Sequence, residues 1–177
     1  MKVDVNSITA IFTVVISIIS LVFSITFAKK QEKFNRNSIM PVCNIIFNDY
    51  KNKIAVKIRN VGPGVATINS FNCSSDDSGI NYSSLIEVFG QDIRIKDDDN
   101  IVEAGEWTDF IENIEGRSIG SGEELVLLCM ENSTPQIMEE IRYNLRPLQI
   151  SLTYCDVYGT VFSTHRDLEW FGRNLHD

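Results

Sequence analysis

Few residues in this sequence have the types and spacing that chemistry requires. His165 and Asp167 stand two positions apart in a segment that alternates like a strand, so both fall on one face. A carboxylate placed that way can orient an imidazole as a general base. No nucleophile accompanies the pair, and period-two pairs are common on strand surfaces. The second histidine, His176, is next to the last residue. Cys43, Cys73, Cys129 and Cys155 are scattered without a Cys-x-x-Cys pair, unlike the close pairs that ligate zinc. Cys155 lies beside Asp156, with no cation or helix N-terminus to lower its pKa. No phosphate loop, dinucleotide fingerprint or Gly-x-Ser-x-Gly elbow is present. The expectation is a protein that is not an enzyme and uses no metal or cofactor.

Other groups have structural readings. Asp76-Asp77 and Asp97-Asp98-Asp99 are dense enough in carboxylate to suggest calcium loops, but they read more simply as solvated loop tips. Trp107, Trp170 and Phe171 are either core aromatics or a contact surface near the C-terminus, since tryptophan is enriched in contacts that carry affinity. Tyr154, Asp156 and Tyr158 alternate on one face of a hairpin that turns at Gly159, and read as a turn-fixing cluster. In Asn60-Val61-Gly62-Pro63-Gly64, the two glycines are expected to supply positive φ and Pro63 a preset φ near −65°. Asn60 can bond back to the turn backbone. The loop amides could instead cradle an anion; a structural turn is the preferred reading.

The elements that must position these residues begin with a membrane segment. Ile8 to Ala28 is a run of 21 residues without a charge, about 30 Å of helix and about the thickness of a bilayer core. A signal peptide has a shorter apolar stretch, with its basic residues in front. Here Lys29, Lys30, Lys33 and Arg36 follow the run, and only Lys2 precedes it. Positive charge stays inside, so the N-terminus is expected outside the inner membrane and the remainder in the cytoplasm. Reduced, scattered cysteines agree with that compartment. The sequons at Asn72, Asn81 and Asn132 are discounted as chance patterns. Within the run, Ala10, Thr13, Ser17, Ser20 and Ser24 repeat at heptad spacing, with Asn6 ahead of them. Such a seam lets helices approach closely and implies a homo-oligomer. Off-seam Thr9 and Thr26 fit the plainer reading, in which hydroxyls bond their own helix.

The 177 residues leave room for one soluble domain after this helix. Residues 1–38 carry five basic and two acidic side chains, and residues 39–177 carry eleven basic and twenty-two acidic ones. So acidic a domain repels phosphate backbones, which excludes nucleic acid as a natural partner. Period-two alternation predicts strands over 42–49, 54–59, 65–71, 125–130, 148–153 and 161–168, with further strands from Ile93 and over Glu106–Ile111. A polar loop is expected over Cys73–Gly79. Short helices are expected after Ser83 and Ser133, each serine acting as N-cap. The division is a 1–7 tail, an 8–28 transmembrane helix, a 29–40 basic helix or linker, a 41–171 β-sandwich and a 172–177 tail.

Three stretches carry a resemblance: IAVKIRNVGPGVATINSF with its Asn-x-Gly-x-Gly-x-Ala pattern, IGSGEELVLL, and ISLTYCDVYGTVFST with Tyr-x-Asp-x-x-Gly. Together they resemble the immunoglobulin-like β-sandwich found behind one N-terminal helix in many uncharacterised bacterial membrane proteins. Pro63 between the glycines and the helix around Ile137 depart from that pattern. The resemblance implies a mainly β fold with one or two short helices and brings no agreed activity. The functional expectation is a membrane-anchored module, in contact with lipid, that binds a protein or small molecule. The alternative is a membrane-disrupting effector of a bacterial defence system.

Overall fold

A computed structural model describes residues 5–75, 79–90, 92–97 and 100–174. It divides into two compact units, with the boundary between Ile39 and Met40. The first is the helix α1, Val5–Ser38, whose 34 residues extend about 51 Å. It starts inside the stretch expected as a tail and continues through the polar Lys29–Ser38 segment. It is long and apolar enough to cross a membrane.

The second unit runs β1 (Cys43–Tyr50), β2 (Lys53–Asn60), β3 (Ala66–Ser75), β4 (Asn81–Tyr82), α2 (Ile86–Phe89), β5 (Asp92–Asp97), β6 (Asn100–Glu106), β7 (Asp109–Phe110), β8 (Ser118–Ile119), β9 (Glu124–Glu131), α3 (Pro135–Leu145), β10 (Leu148–Cys155) and β11 (Val161–Asp167), ending in a 3₁₀ turn at Glu169–Asn174. One sheet has the order β1-β2-β9-β7; the other has β11-β10-β3-β4, with β8 added to β3; β5 and β6 form a separate hairpin. All the pairings are antiparallel. The result is a β-sandwich-like domain behind an apolar helix.

Alternation fixes which residues meet between the sheets. Ile54, Val56 and Ile58 of β2 and Leu148, Ile150 and Leu152 of β10 are buried in one core with Phe71, Leu127, Leu128 and Phe171. Burying each such side chain favours folding by about 1.5–3 kcal/mol. The same inward parity continues to a polar residue on three strands: Asp49 on β1, Asn60 on β2 and Asp156 just past β10, all buried. Those three residues close the ends of the core.

Several expected elements are corrected. β3 runs on to Ser75, so Cys73 is a fully buried strand residue and not part of a loop. The strand expected over Glu106–Ile111 is broken: β6 ends at Glu106, Trp107 turns into the core, and only Asp109–Phe110 pairs again, with β9. β4 and β8, two residues each, were too short for periodicity to reveal. The N-cap of α3 is Thr134, whose side chain accepts from the Ile137 N–H. Pro135 takes the first helical position, which excludes Ser133 from the capping place. Ile137, Met138, Ile141 and Leu145 form the buried face of α3, as their spacing predicts. α2 has only four residues and Leu85 at its N-cap, while Ser83 instead donates its backbone N–H to the Glu87 carboxylate at 2.8 Å.

Candidate functional site

Asn60 ends the inward row of β2, and its amide is fully buried. Oδ1 accepts from the N–H groups of Val42 (3.1 Å) and Gly62 (3.0 Å); Nδ2 donates to the carbonyls of Gly64 (2.6 Å) and Ile119 (3.0 Å). Both donors and both acceptor positions of the amide are therefore used, leaving nothing for a ligand. One side chain ties the start of β1, the β2–β3 turn and β8 together. The expected reason for the glycines is corrected. Neither Gly62 nor Gly64 has positive φ. Gly62 is required because a Cβ there would lie 2.5 Å from the Met40 carbonyl oxygen and 2.5 Å from the Val42 nitrogen. The turn is a close backbone crossing.

The second hairpin end works by the same means. Asp156 accepts from the N–H groups of Tyr158 and Thr160, both at 2.8 Å, and Gly159 takes φ 79° between them. The Tyr154 hydroxyl accepts from Cys43 N–H at 3.1 Å, joining the two sheets; burial raises its pKa. Tyr154 and Asp156 are thus structural, and Tyr158 is half exposed beyond them.

On α1, the hydroxyls of Thr13, Ser17 and Ser24 donate to the carbonyls of Thr9, Thr13 and Ser20 one turn back. Off-seam Thr26 does the same to Val22. Hydroxyl bonding therefore does not distinguish the seam. What sets Ala10, Thr13, Ser17, Ser20 and Ser24 apart is small size at heptad spacing.

The aromatic trio does not form one surface. Phe171 is fully buried against Phe47, with ring centroids 5.5 Å apart. Trp107 is buried edge-on to Phe89 at 5.2 Å and donates its indole N–H to the Gly90 carbonyl. Only Trp170 is exposed, with the Arg173 guanidinium 3.4 Å over its ring. His165 and Asp167 are exposed on β11, the edge strand of its sheet. Burial pushes the Cys43 thiol up to about 11 and Cys73 up to about 12; the four cysteines are free, and only Cys155 is partly exposed. Asp76, Asp77, Asp98, Asp99 and His176 lie outside the described residues. Among the described residues, no group of three or more His, Cys, Asp or Glu converges on a metal site.

Sequence reasoning missed two features. The Asp49 carboxylate, fully buried as a side chain, meets the Arg142 guanidinium at 2.8 Å and Arg173 at 3.8 Å. Arg142 also donates to the Tyr50 carbonyl, bracing α3 against β1. Asp49 sat in the inward row of β1, but its partner 93 residues away left no local trace.

The other feature is an open cavity of about 280 Å³ lined by Ser84, Ile86, Glu87, Gly90 and Glu112. Ser84 is buried, and its hydroxyl has no hydrogen-bond partner among the described residues. Such a group costs about 1–3 kcal/mol relative to a satisfied one. Next to it, the Glu87 carboxyl is held below its ordinary pKa, first by the Ser83 hydroxyl and then by the Ser83 N–H. Apolar wall, unmatched hydroxyl and two carboxylates are the makings of a small-molecule site. No motif marks the segment.

An apolar helix long enough to cross a membrane, followed by a β-sandwich-like domain, defines the architecture. Residues 8–171 match a family described as a domain of unknown function, DUF8453. The chain belongs to that family, whose matched region takes in both the apolar helix and the sandwich. No curated protein matches the sequence.

Proposed function

We propose that this protein is a single-pass bacterial inner-membrane protein, N-terminus outside, whose cytoplasmic sandwich is a non-enzymatic binding module. The observation that carries the binding reading is the cavity beside the unpartnered Ser84 hydroxyl. Its dimensions fit a small molecule, and Glu87 and Glu112 favour one that presents hydrogen-bond donors or positive charge. The orientation rests on Lys29, Lys30, Lys33 and Arg36 behind the span. Self-association through α1 is the companion reading, supported by the small-residue seam, where close approach adds van der Waals contact. An immunoglobulin-like topology is supported by strand order. With β4, β5, β6 and β8 set aside as additions, β1-β2-β9-β7 opposite β11-β10-β3 matches the constant-type arrangement of such sandwiches.

Native mass spectrometry of the detergent-purified chain tests the binding reading. The expected result is a small-molecule adduct that disappears in Ser84→Leu, which removes the hydroxyl and fills space beside the cavity. An adduct-free wild type, or an adduct indifferent to Ser84→Leu, sinks it. Orientation is tested through Cys155, the one cysteine with exposure. A membrane-impermeant maleimide should label it only after lysis, and labelling of intact spheroplasts would reverse the topology.

A further inference from the structure

One end of the sandwich is apolar in a way its core does not require. The start of β1, the β2–β3 turn and the β10–β11 turn meet there, because Cys43 pairs with Asn60 and Cys155 with Thr67. Outside α1, eleven large hydrophobic side chains are exposed among the described residues; six of them, Met40, Val61, Val65, Val157, Tyr158 and Val161, are at this end. The tips Val61-Gly62-Pro63-Gly64-Val65 and Val157-Tyr158-Gly159-Thr160-Val161 contain no charged residue, in a chain that is 23% charged. Of the nearby carboxylates, Asp156 is buried in its turn, while Glu123 is exposed and accepts from the Gly120 N–H at 2.8 Å. Scattered exposed apolar residues are ordinary; a concentration of them without charge is a contact surface.

We infer that this end docks on the lipid surface of the membrane that α1 enters. The inference rests on the reading of α1 as a membrane span. Met40, in this rim, directly follows the α1 unit in sequence, so this end is the part of the sandwich nearest the span along the chain. Valine loops with one tyrosine suit the interface, where an aromatic ring with a polar tip is favoured. The geometry sets a condition. Lys29–Ser38 would extend about 15 Å along a perpendicular helix, against a headgroup layer of about 5–8 Å. Docking therefore needs the basic segment to lie low among headgroups, which Lys29, Lys30, Lys33 and Arg36 favour on anionic lipid.

The test uses the full chain in vesicles of mixed phosphatidylcholine and phosphatidylglycerol. In a Cys155→Ser background, an environment-sensitive fluorophore is attached at Val157→Cys, at Tyr143→Cys on the exposed face of α3, or at Val15→Cys within α1. Quenching by nitroxide-bearing phosphatidylcholine should be about twofold or more stronger at position 157 than at 143, as for an interfacial side chain. Adding Val65→Glu and Val161→Glu should bring position 157 down to the level of 143. Equal quenching at 157 and 143, with position 15 quenched, overturns the docking while leaving the span intact. An unquenched position 15 overturns the span and the docking with it. A fluorescence shift at 157 that grows with protein-to-lipid ratio but is not quenched by nitroxide lipid assigns the rim to a second copy and overturns the lipid assignment.

Discussion

Asn60 and Ser84 are both buried polar residues at the margin of the same core, and they are satisfied to opposite degrees. The Asn60 amide makes four hydrogen bonds that join three segments of backbone. The Ser84 hydroxyl makes none among the described residues and lines an open cavity. A saturated polar group holds the fold in one arrangement, and a ligand could gain nothing from it. An unsaturated one costs stability and is worth keeping where another molecule completes it. Turn and cavity therefore differ in kind, although both contain a glycine and both face a loop.

The largest expected effect tests the saturated side. Asn60→Ala should destabilise the sandwich by about 3–4 kcal/mol, because two N–H groups and two carbonyls lose their partner together. Denaturant titration of the full chain in detergent, followed by tryptophan emission, reads it out. A loss below 1 kcal/mol would mean that the four bonds are not a unit. Gly62→Ala comes next, at about 2 kcal/mol. Its Cβ would press on the Met40 and Val42 backbone, which cannot rotate away as a side chain could. Gly159→Ala should cost about 1–2 kcal/mol through left-handed φ alone. If the two glycines ranked the other way, conformational freedom and not close approach would govern this end.

The unsaturated side predicts the opposite sign. Ser84→Ala removes a hydroxyl that has no partner and leaves nothing else unpaired, so the ligand-free protein should gain about 0.5–1 kcal/mol. The same titration checks it. A loss of stability would show that the hydroxyl is satisfied after all, and the contrast with Asn60 would fail.

The contrast also explains what could be read in the sequence. The sandwich was legible because Ile54-Val56-Ile58 and Leu148-Ile150-Leu152 announce their faces by period two, and Ile137-Met138-Ile141-Leu145 by helical spacing. Asn60 and Asp156 were legible as turn residues because their bonds are local, to Gly62, Gly64, Tyr158 and Thr160. The chemical reason for Gly62 was not, since the backbone it would strike precedes it by some twenty residues. The pairing of Asp49 with Arg142, and the cavity wall that Ser84 and Glu112 share, span the fold in a way no window contains. The tip valines were visible, but only their gathering at one end gives them meaning, and that gathering is a product of register.

The smallest effect is one of pH, and it separates the two regions without a mutation. Glu87 holds the Ser83–Gly90 segment by accepting from the Ser83 N–H and hydroxyl, and those bonds depress its pKa. A carboxyl whose folded pKa is lowered contributes its stability fully above the unfolded value, near 4.3, and loses it as pH falls through the folded value. Glu87 is exposed, so the contribution is local and small. Acidification from pH 6 to the carboxylate range should therefore lower the protection factor, which corrects the exchange rate for its intrinsic pH dependence, at Ser83 and its neighbours before it affects Gly62 or Val42, whose acceptor is an amide that does not titrate. Hydrogen exchange resolved by residue measures both. In Glu87→Gln the acid step at Ser83 should vanish, since glutamine offers the same oxygen without a proton to gain. Persistence of the step in that variant would show that the bonds to the Glu87 carboxylate do not produce it.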